Sequence, residues 1–397
     1  MSSFSRFHEH VYFGSGAHRE ALQHLSNQGI QRIALIADES TRTQGVLGTL
    51  EQSLQASGLQ FDTHVVDPAA KYEAIVAQAE RINAAQPYDC YLSLGGNFLN
   101  FAAKIIWMLA EDPQFDLRKL STDFVQAQRE AGKTVARPRR AIHVAIPAAY
   151  MLGGEFGHYV LASFENGTVG AYLDAALLPT RLVLDPQLVT TVTTENLAQE
   201  GFDSLTHCIE CFARDVDMPL AKAACLQGAK AIYDHLPALM ADQSNLAARE
   251  RVQAGLWGAS VVFTNLFSGI VHSMTTMYSS KLGVPHGAAH ALTLPATIEF
   301  LAGDKATAAR LGEMAAHLGI ATAQDPQAAQ KLAHAVEAFA KRIGLATTVK
   351  GAGIAADRFT KLLPELASGA AAYQSTRLIA RAADAAQLKT IFEAAAR

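Results

Sequence analysis

The run RIALIAD, residues 32–38, is short, apolar and rich in β-formers, and it ends on an aspartate. Around it the texture changes. AHREALQHLSNQG (17–29) precedes it and YEAIVAQAERINAA (72–85) follows, each with apolar residues at helical spacing. The same kind of short run returns as FDTHVV (61–66), DCYLSLGG (89–96), AIHVAIP (141–147) and TRLVLDP (180–186). Short β-rich runs alternating with amphipathic helices are the pattern of βαβ units, so a mainly parallel sheet is predicted for this half. After about residue 190 the strand signals stop. Ala, Leu, Gln and Glu then recur at helical spacing almost to the end, which predicts an all-helical second half. The expected division is 1–189 for an α/β domain and 190–397 for a helical one, with Thr194 before Glu195 as a helix start near the boundary.

Composition agrees with two globular domains. The 397 residues exceed what one hydrophobic core usually serves. Half of them are hydrophobic and 18% are charged, a globular rather than a disordered balance. The formal charge is -4 with a pI near 6.4, and no Lys/Arg run stands out, so neither a nucleic acid nor an anionic membrane surface is an expected partner. MSSFSRFHEHVYFGSG lacks the apolar core of a signal peptide. No apolar run reaches the roughly 18–20 residues of a bilayer span. Cys90, Cys208, Cys211 and Cys225 are too sparse for a disulfide framework and read as reduced, core-packed thiols, which points to the cytoplasm. No internal repeat or low-complexity linker is visible.

In the helical half, GFDSLTHCIE (201–210) sets Asp203 and His207 four residues apart in an otherwise apolar stretch. On a helix that spacing brings a carboxylate and an imidazole to one face, as half of a metal site or as a simple hydrogen-bonded pair. GIVHSMTTMYSSKLGVPHGAAHALTLP (269–295) adds His272, His286 and His290. One unbroken helix would hold His272 and His286 roughly 21 Å apart, too far to share an ion. Gly283 and Pro285 supply the break that could bring the chain back. Three neutral imidazoles with one carboxylate suit a divalent ion such as Fe(II) or Zn(II).

These residues carry a resemblance. GFDSLTHCIE and VHSMTTMYSSKLGVPHG resemble the G-M-D-x-x-x-H-x-x-E and V-H…P-H-G segments of the iron-containing (group III) alcohol dehydrogenase family, within the dehydroquinate-synthase-like superfamily. The resemblance implies Asp203, His207, His272 and His286 as metal ligands. FGSGA (13–17), Asp38, LGG…AAK (94–104), AIP…GGE (145–155) and LDP (184–186) fall in the family's order as well. It further implies a Rossmann-like N-terminal domain, a C-terminal helical bundle and an active site in the cleft between them. The implied chemistry is reversible hydride transfer between an alcohol and an aldehyde or ketone, with Fe(II) or Zn(II) and NAD in preference to NADP. A homodimer is the implied assembly.

The cofactor half departs from the family pattern. Where the family has G-G-G-S-x-x-D-x-A-K, this chain reads GGNFLNFAAK: Gly95 and Gly96 remain, while Asn97, Phe98 and Asn100 replace a glycine, a serine and an aspartate. Asn tolerates a left-handed backbone, so the turn can survive, but Phe98 is bulky beside a phosphate. The family's P-T-T pair is Ala148–Ala149 here, and a lysine commonly found before the next strand is Val169. With Leu188, these positions form the expected cofactor set. Asp38 has two readings, a hydrogen-bond acceptor for an adenosine ribose, favouring NAD, or a helix N-cap ahead of Glu39.

Catalytic residues are less determined. Many family members read V-H-x-M-x-H, and Thr276 stands in the place of the second histidine, with His290 the other candidate for proton transfer. Glu155 reads as a helix start, and His143 and His158 as core histidines. Tyr150, Met151, Phe156, Met274, Met277 and Tyr278 would make a partly apolar substrate pocket if they face the cleft. Two further readings are a same-scaffold metal enzyme of another reaction class, such as a dehydroquinate-synthase-like cyclase or lyase, and a non-catalytic metal protein with a degenerate cofactor site.

Overall fold

In a computed structural model the described residues are 7–84, 87–120, 140–150, 153–266, 269–373, 381 and 383–396. They divide into two compact units, Phe7–Val192 and Thr193–Arg397.

The first unit is built on a six-stranded sheet. Its strands are β1 (His10–Phe13), β2 (Arg32–Ala37), β3 (Gln60–Val65), β4 (Cys90–Gly95), β5 (Ile142–Pro147) and, after the hairpin β6 (Tyr159–Ser163) and β7 (Val169–Leu173), β8 (Arg181–Leu184). The order is β1-β8-β5-β4-β2-β3, and every pair is parallel. Burial explains why the inner strands stand out in the sequence. β2, β4, β5 and β8 are buried almost throughout and read as continuous apolar runs, as inner strands of a parallel sheet do. At one edge only Tyr12 of β1 is buried, so HVYF among polar neighbours gives no strand signal. The hairpin is a second feature absent from the sequence prediction. Its turn carries Gly167 at φ 83 after Asn166, a hairpin signal in ENGT.

Helices α1 (Ala17–Asn27) and α3 (Val46–Ala56) join the sheet in one apolar core that includes Leu22, Leu25, Leu50, Leu35, Leu92 and Val144. The short helix α2 (Glu39–Thr43) lies between them in the chain; α4 (Tyr72–Asn83), α5 (Asn97–Glu111) and α6 (Leu117–Leu120) follow. A buried hydrogen-bonded pair fastens the two ends of the unit: Asp185, just after β8, receives the backbone N–H of His18 at 3.1 Å and bonds its imidazole, which reaches Ser53 Oγ at 3.0 Å.

The second unit is helical: α7 (Thr194–Phe212), α8 (Pro219–Ala241), α9 (Leu246–Leu266), α10 (Ile270–Met277), α11 (His286–Leu301), α12 (Lys305–His317), α13 (Ala328–Arg342), α14 (Ala356–Ala372) and α15 (Ala385–Ala394). Its helix start is set by Thr193 rather than Thr194, whose neighbour's side chain accepts the Asn196 N–H at 3.1 Å. Phe202 stacks on Phe339, and Phe339 on Tyr233, at centroid separations of 6.4 and 4.9 Å. All four cysteines are buried, and no disulfide joins described residues. Among the described residues no single helix is long and apolar enough to cross a membrane.

Candidate metal centre and cofactor turn

The helical unit gathers its ionisable groups at one point. Asp203, His207 and Glu210 follow one another at i, i+4 and i+7 on α7, so they share a face. His272 comes from the first turn of α10. After α10 a wide turn, Tyr278–Leu282, is stopped by Gly283 in the left-handed region at φ 75. Pro285 then caps α11, whose first residue is His286. α11 starts hard against α7: a Cβ on Gly287 would lie 2.5 Å from the carbonyl oxygen of Gln199, so only glycine lets His286 come this close to the Asp203 turn. The break expected at Gly283 and Pro285 is therefore present.

One ligand atom from each of Asp203, His272, His286 and His290 falls within 4.8 Å of all the others. His207 joins them, with Nε2 at 3.2 Å from His272 Nε2 and 3.5 Å from Asp203 Oδ1. His290 Nε2 lies 2.7 Å from Asp203 Oδ1, yet neither atom makes a hydrogen bond, because the approach is off-line. Two buried polar atoms left without partners, both aimed into a ring of imidazoles, are what a site for a cation looks like when the protein alone is considered. The donors are one carboxylate and imidazoles, which in their neutral form suit a divalent transition ion, so the residues fit the metal that the resemblance implies.

Glu210 was not assigned a role from the sequence. It accepts the Val271 backbone N–H through Oε1 and lies against His272 Nδ1 through Oε2, both at 2.6 Å. That contact turns Nε2 of His272 toward Asp203 and fixes the tautomer, as carboxylates behind ligand histidines do. The electrostatics follow from this crowding. Burial, then the charge on His272, push His207 and His290 down to about 3. Burial acts to lower His272 as well, but the carboxylates of Asp203 and Glu210 hold it at about 9. Asp203 stays well below the usual carboxylate range: burial opposes this, and the surrounding histidines outweigh it.

The residues expected to handle protons are differently engaged. The Thr276 hydroxyl donates to the His272 carbonyl oxygen at 2.8 Å, so its proton is taken up within its own helix. His290 stands inside the ring of donors instead of beside it, with Nδ1 3.1 Å from Thr275 Oγ1. Of the residues considered for a substrate pocket, Tyr150, Phe156, Met274 and Tyr278 are buried, Met277 is partly exposed and Met151 lies outside the described residues. The four buried ones are core side chains; Tyr278, for example, packs on Phe392.

In the α/β unit, the turn after β4 keeps its shape by means the sequence did not suggest. The Asn100 amide donates to the carbonyls of Gly95 and Gly96 at 3.1 and 3.0 Å and accepts from Ser93 Oγ at 2.6 Å. Asn97 folds away, accepting the Gly154 N–H at 2.6 Å. No side chain caps α5, so its first backbone N–H groups remain open, as a phosphate site requires. The side chains add nothing to them. Phe98 is 57% exposed and Val169 63%, and both line an apolar pocket of about 410 Å³ with Pro68, Ile75 and Phe101. A dinucleotide therefore fits the backbone of this turn, while the flanking side chains offer it no donor.

The other expected cofactor residues are placed as follows. Asp38 is the N-cap of α2, with Oδ1 accepting the Thr41 N–H at 2.8 Å. Ala148 is buried and ties Gly95 and Thr190 together through its backbone, while the Cβ of Ala149 lies beside Gly96. Leu188 is fully buried in the sheet core, so its side chain presents no surface to a ligand. Glu155 occupies a buried turn instead of a helix start. Beside it Lys104, held by the carbonyls of Gly157 and Tyr159, is pushed down to about 7 by burial against the pull of Glu155.

Comparisons with known proteins agree with this architecture. Residues 8–186 match the family described as iron-containing alcohol dehydrogenase, and 197–396 match its C-terminal domain. A bifunctional aldehyde-alcohol dehydrogenase of Escherichia coli K12 is 27% identical across 87% of this chain, which spans only 40% of that protein's length. An NADPH-dependent butanol dehydrogenase of Clostridium saccharobutylicum is 24% identical, covering 96% of this chain and 95% of its own. Among solved structures, a 1,3-propanediol oxidoreductase superposes over 100% of both chains with a TM-score of 0.84 at 21% identity. A sulfoacetaldehyde reductase from Bifidobacterium kashiwanohense in complex with NAD+ covers 100% of this chain and 99% of its own, with a TM-score of 0.82 at 19% identity. With the two family models matched over residues 8–186 and 197–396, the chain belongs to the iron-containing alcohol dehydrogenase family.

Proposed function

We propose that this protein is a metal-dependent, nicotinamide-linked oxidoreductase that interconverts an alcohol and an aldehyde or ketone. The observation that carries the reading is the convergence of Asp203, His272, His286 and His290, with His207 beside them and two buried donor atoms unpartnered. A bound divalent ion supplies Lewis acidity toward a substrate oxygen, and a bound nicotinamide supplies or accepts hydride. The chain's own groups do the rest. Glu210 orients His272, Gly283 and Pro285 return the chain to present His286, and the open N–H groups of α5 hold the cofactor's phosphates. Water reaches the centre on the side of His286, the exposed imidazole of the set. The side chain of Thr276, bonded to a carbonyl, leaves proton exchange to that solvent side.

Fe(II) or Zn(II) is the proposed ion and NAD the proposed cofactor. Asp38 caps α2 with one oxygen and has a second for a ribose, which favours NAD over NADP. The family resemblance adds reaction in the cleft between two domains, a cytoplasmic setting and a homodimer to the proposal. A second reading has one observation in its favour: exposed Phe98 and Val169 beside the phosphate position suit a metal protein that no longer uses a nicotinamide.

Fluorescence titration of the iron- or zinc-loaded protein with NADH and NADPH separates the two. The Asp203→Ala, His207→Ala double variant serves as metal-free control. Saturable binding, tighter for NADH, followed by turnover in a screen of alcohols and aldehydes, supports the dehydrogenase. If the ion is held stoichiometrically and neither nucleotide binds, the dehydrogenase reading fails.

A further inference from the structure

The geometry points to a fifth metal donor: we propose that His290 ligates the ion directly, making a centre of one carboxylate and four imidazoles. The inference rests on the metal reading above and goes beyond the four ligands that the family pattern implies. His290 is fully buried, which excludes a role as a solvated surface histidine. Its Nε2 sits 2.7 Å from Asp203 Oδ1, off the line of a well-directed hydrogen bond, as two neighbouring donors facing a common point do. Behind it, Nδ1 is 3.1 Å from Thr275 Oγ1, and Thr275 lies 3.5 Å from Thr293 Oγ1. With the Nδ1 proton given to Thr275, Nε2 carries the free lone pair. Thr275 thus does for His290 what Glu210 does for His272.

The distances suit a single ion. Donors at roughly 2.0–2.2 Å from one centre stand about 3 Å apart when adjacent and about 4.2 Å when opposite. His207 to His272 at 3.2 Å and His207 to Asp203 at 3.5 Å match adjacent positions, and the 4.8 Å span of the other four matches a shell that tightens slightly around its ion. His286 and His290 reach it from successive turns of α11, with ring centroids 4.8 Å apart.

Five protein donors change which ion the site prefers. A catalytic zinc centre usually takes three protein ligands and keeps a fourth position for water or substrate. Five donors overfill a tetrahedron but leave one open position on an octahedron, the geometry that Fe(II) and Co(II) accept readily. On this proposal a preference for iron over zinc depends on His290, a donor beyond the four ligands that the family resemblance implies.

The test uses the Co(II)-substituted protein, because each ligated imidazole gives one solvent-exchangeable N–H proton with a large paramagnetic shift in its proton NMR spectrum. Four such signals are expected in the wild type and three in His290→Asn. The same variant should show the more intense visible bands of a lower-coordinate cobalt. Its preference for Fe(II) over Zn(II) in direct competition should fall at least about tenfold, given that even outer-shell partners of a ligand contribute 10–100-fold in affinity. Three exchangeable signals in the wild type overturn the five-donor centre without needing the variant to fold. An unchanged visible spectrum and metal preference in a folded His290→Asn protein overturn it as well. Failure of the wild type to take up cobalt, iron or zinc is a different result, and sinks the metal reading itself.

Discussion

The candidate metal centre and the candidate cofactor turn are built from different materials. In the helical unit every contributing group is a side chain, and two of them are backed by a second side chain: Glu210 behind His272, Thr275 behind His290. In the α/β unit the groups proposed to hold a cofactor are the uncapped N–H groups of α5, and the side chains that could add to them are apolar. A side-chain site fails with the loss of one residue type. A backbone site survives many substitutions, provided something still holds the turn. Here Asn100 holds it, through two hydrogen bonds to Gly95 and Gly96.

That contrast predicts where damage is worst. Asp203→Ala removes the only carboxylate among the converging donors, so metal content measured on the purified protein should fall below stoichiometric and turnover by about 10³-fold or more. Retention of both would show that the histidines alone form the centre and would undo the side-chain half of the comparison. Glu210→Gln keeps the side chain's size but only one of its two acceptors, so it can no longer serve both the Val271 N–H and His272 Nδ1, and should weaken metal affinity by about 10–100-fold, read by competition with a chelator. Unchanged affinity would make Glu210 a packing residue.

The same contrast explains how much was legible in the sequence. Inner strands and amphipathic helices were visible because burial there is continuous and periodic. β1, with only Tyr12 buried, was not, although the other edge strand, β3, was read from FDTHVV without burying any of its residues, and the β6–β7 hairpin announced itself only through Asn166–Gly167. That Asp203, His207, His272 and His286 come together was legible because side-chain clusters are written as letters, and Gly283 and Pro285 showed how they could meet. Glu210 was in view as a lone acid three residues after His207, and His290 as one turn beyond His286. Their partners, Val271 N–H and Thr275, were unknowable without the fold. Asn97 and Asn100 looked like losses from a glycine-serine-aspartate motif because the sequence prints neither backbone N–H groups nor the carbonyls that Asn100 satisfies.

If Asn100 is a replacement that works, restoring the family's acid should do harm. Asn100→Asp substitutes an acceptor for the amide that donates to two buried carbonyls, a loss of about 2–4 kcal/mol for two unmet partners. NADH binding should weaken with it, by about tenfold. The pH dependence has a definite sign. A buried carboxyl facing carbonyl oxygens has a raised folded-state pKa, so the variant recovers stability on acidification and loses it as pH rises through that value. Thermal unfolding at about pH 5 and about pH 8 reads the difference; a variant equally stable at both would show that the turn does not depend on Asn100.

The smallest effect tests whether the side chains around the open N–H groups matter at all. Phe98 is the second residue of α5, its ring is 57% exposed, and its nearest aromatic neighbour is Phe101 at a centroid distance of 6.3 Å. Phe98→Ser removes little packing and puts a hydroxyl donor at the helix start, which is worth about 0.5–1.5 kcal/mol to a bound phosphate. The dissociation constant for NADH should fall by up to about tenfold. Val169→Lys adds a cation on the exposed β7, a separate position, so the two gains should combine additively. If both variants fold and neither changes NADH affinity, the backbone N–H groups alone hold the phosphates and the apolar pocket lies off the nucleotide's path. If either one weakens binding, the ring or the valine is itself a contact, and this enzyme holds its cofactor through apolar surface where its relatives' motif supplies polar groups.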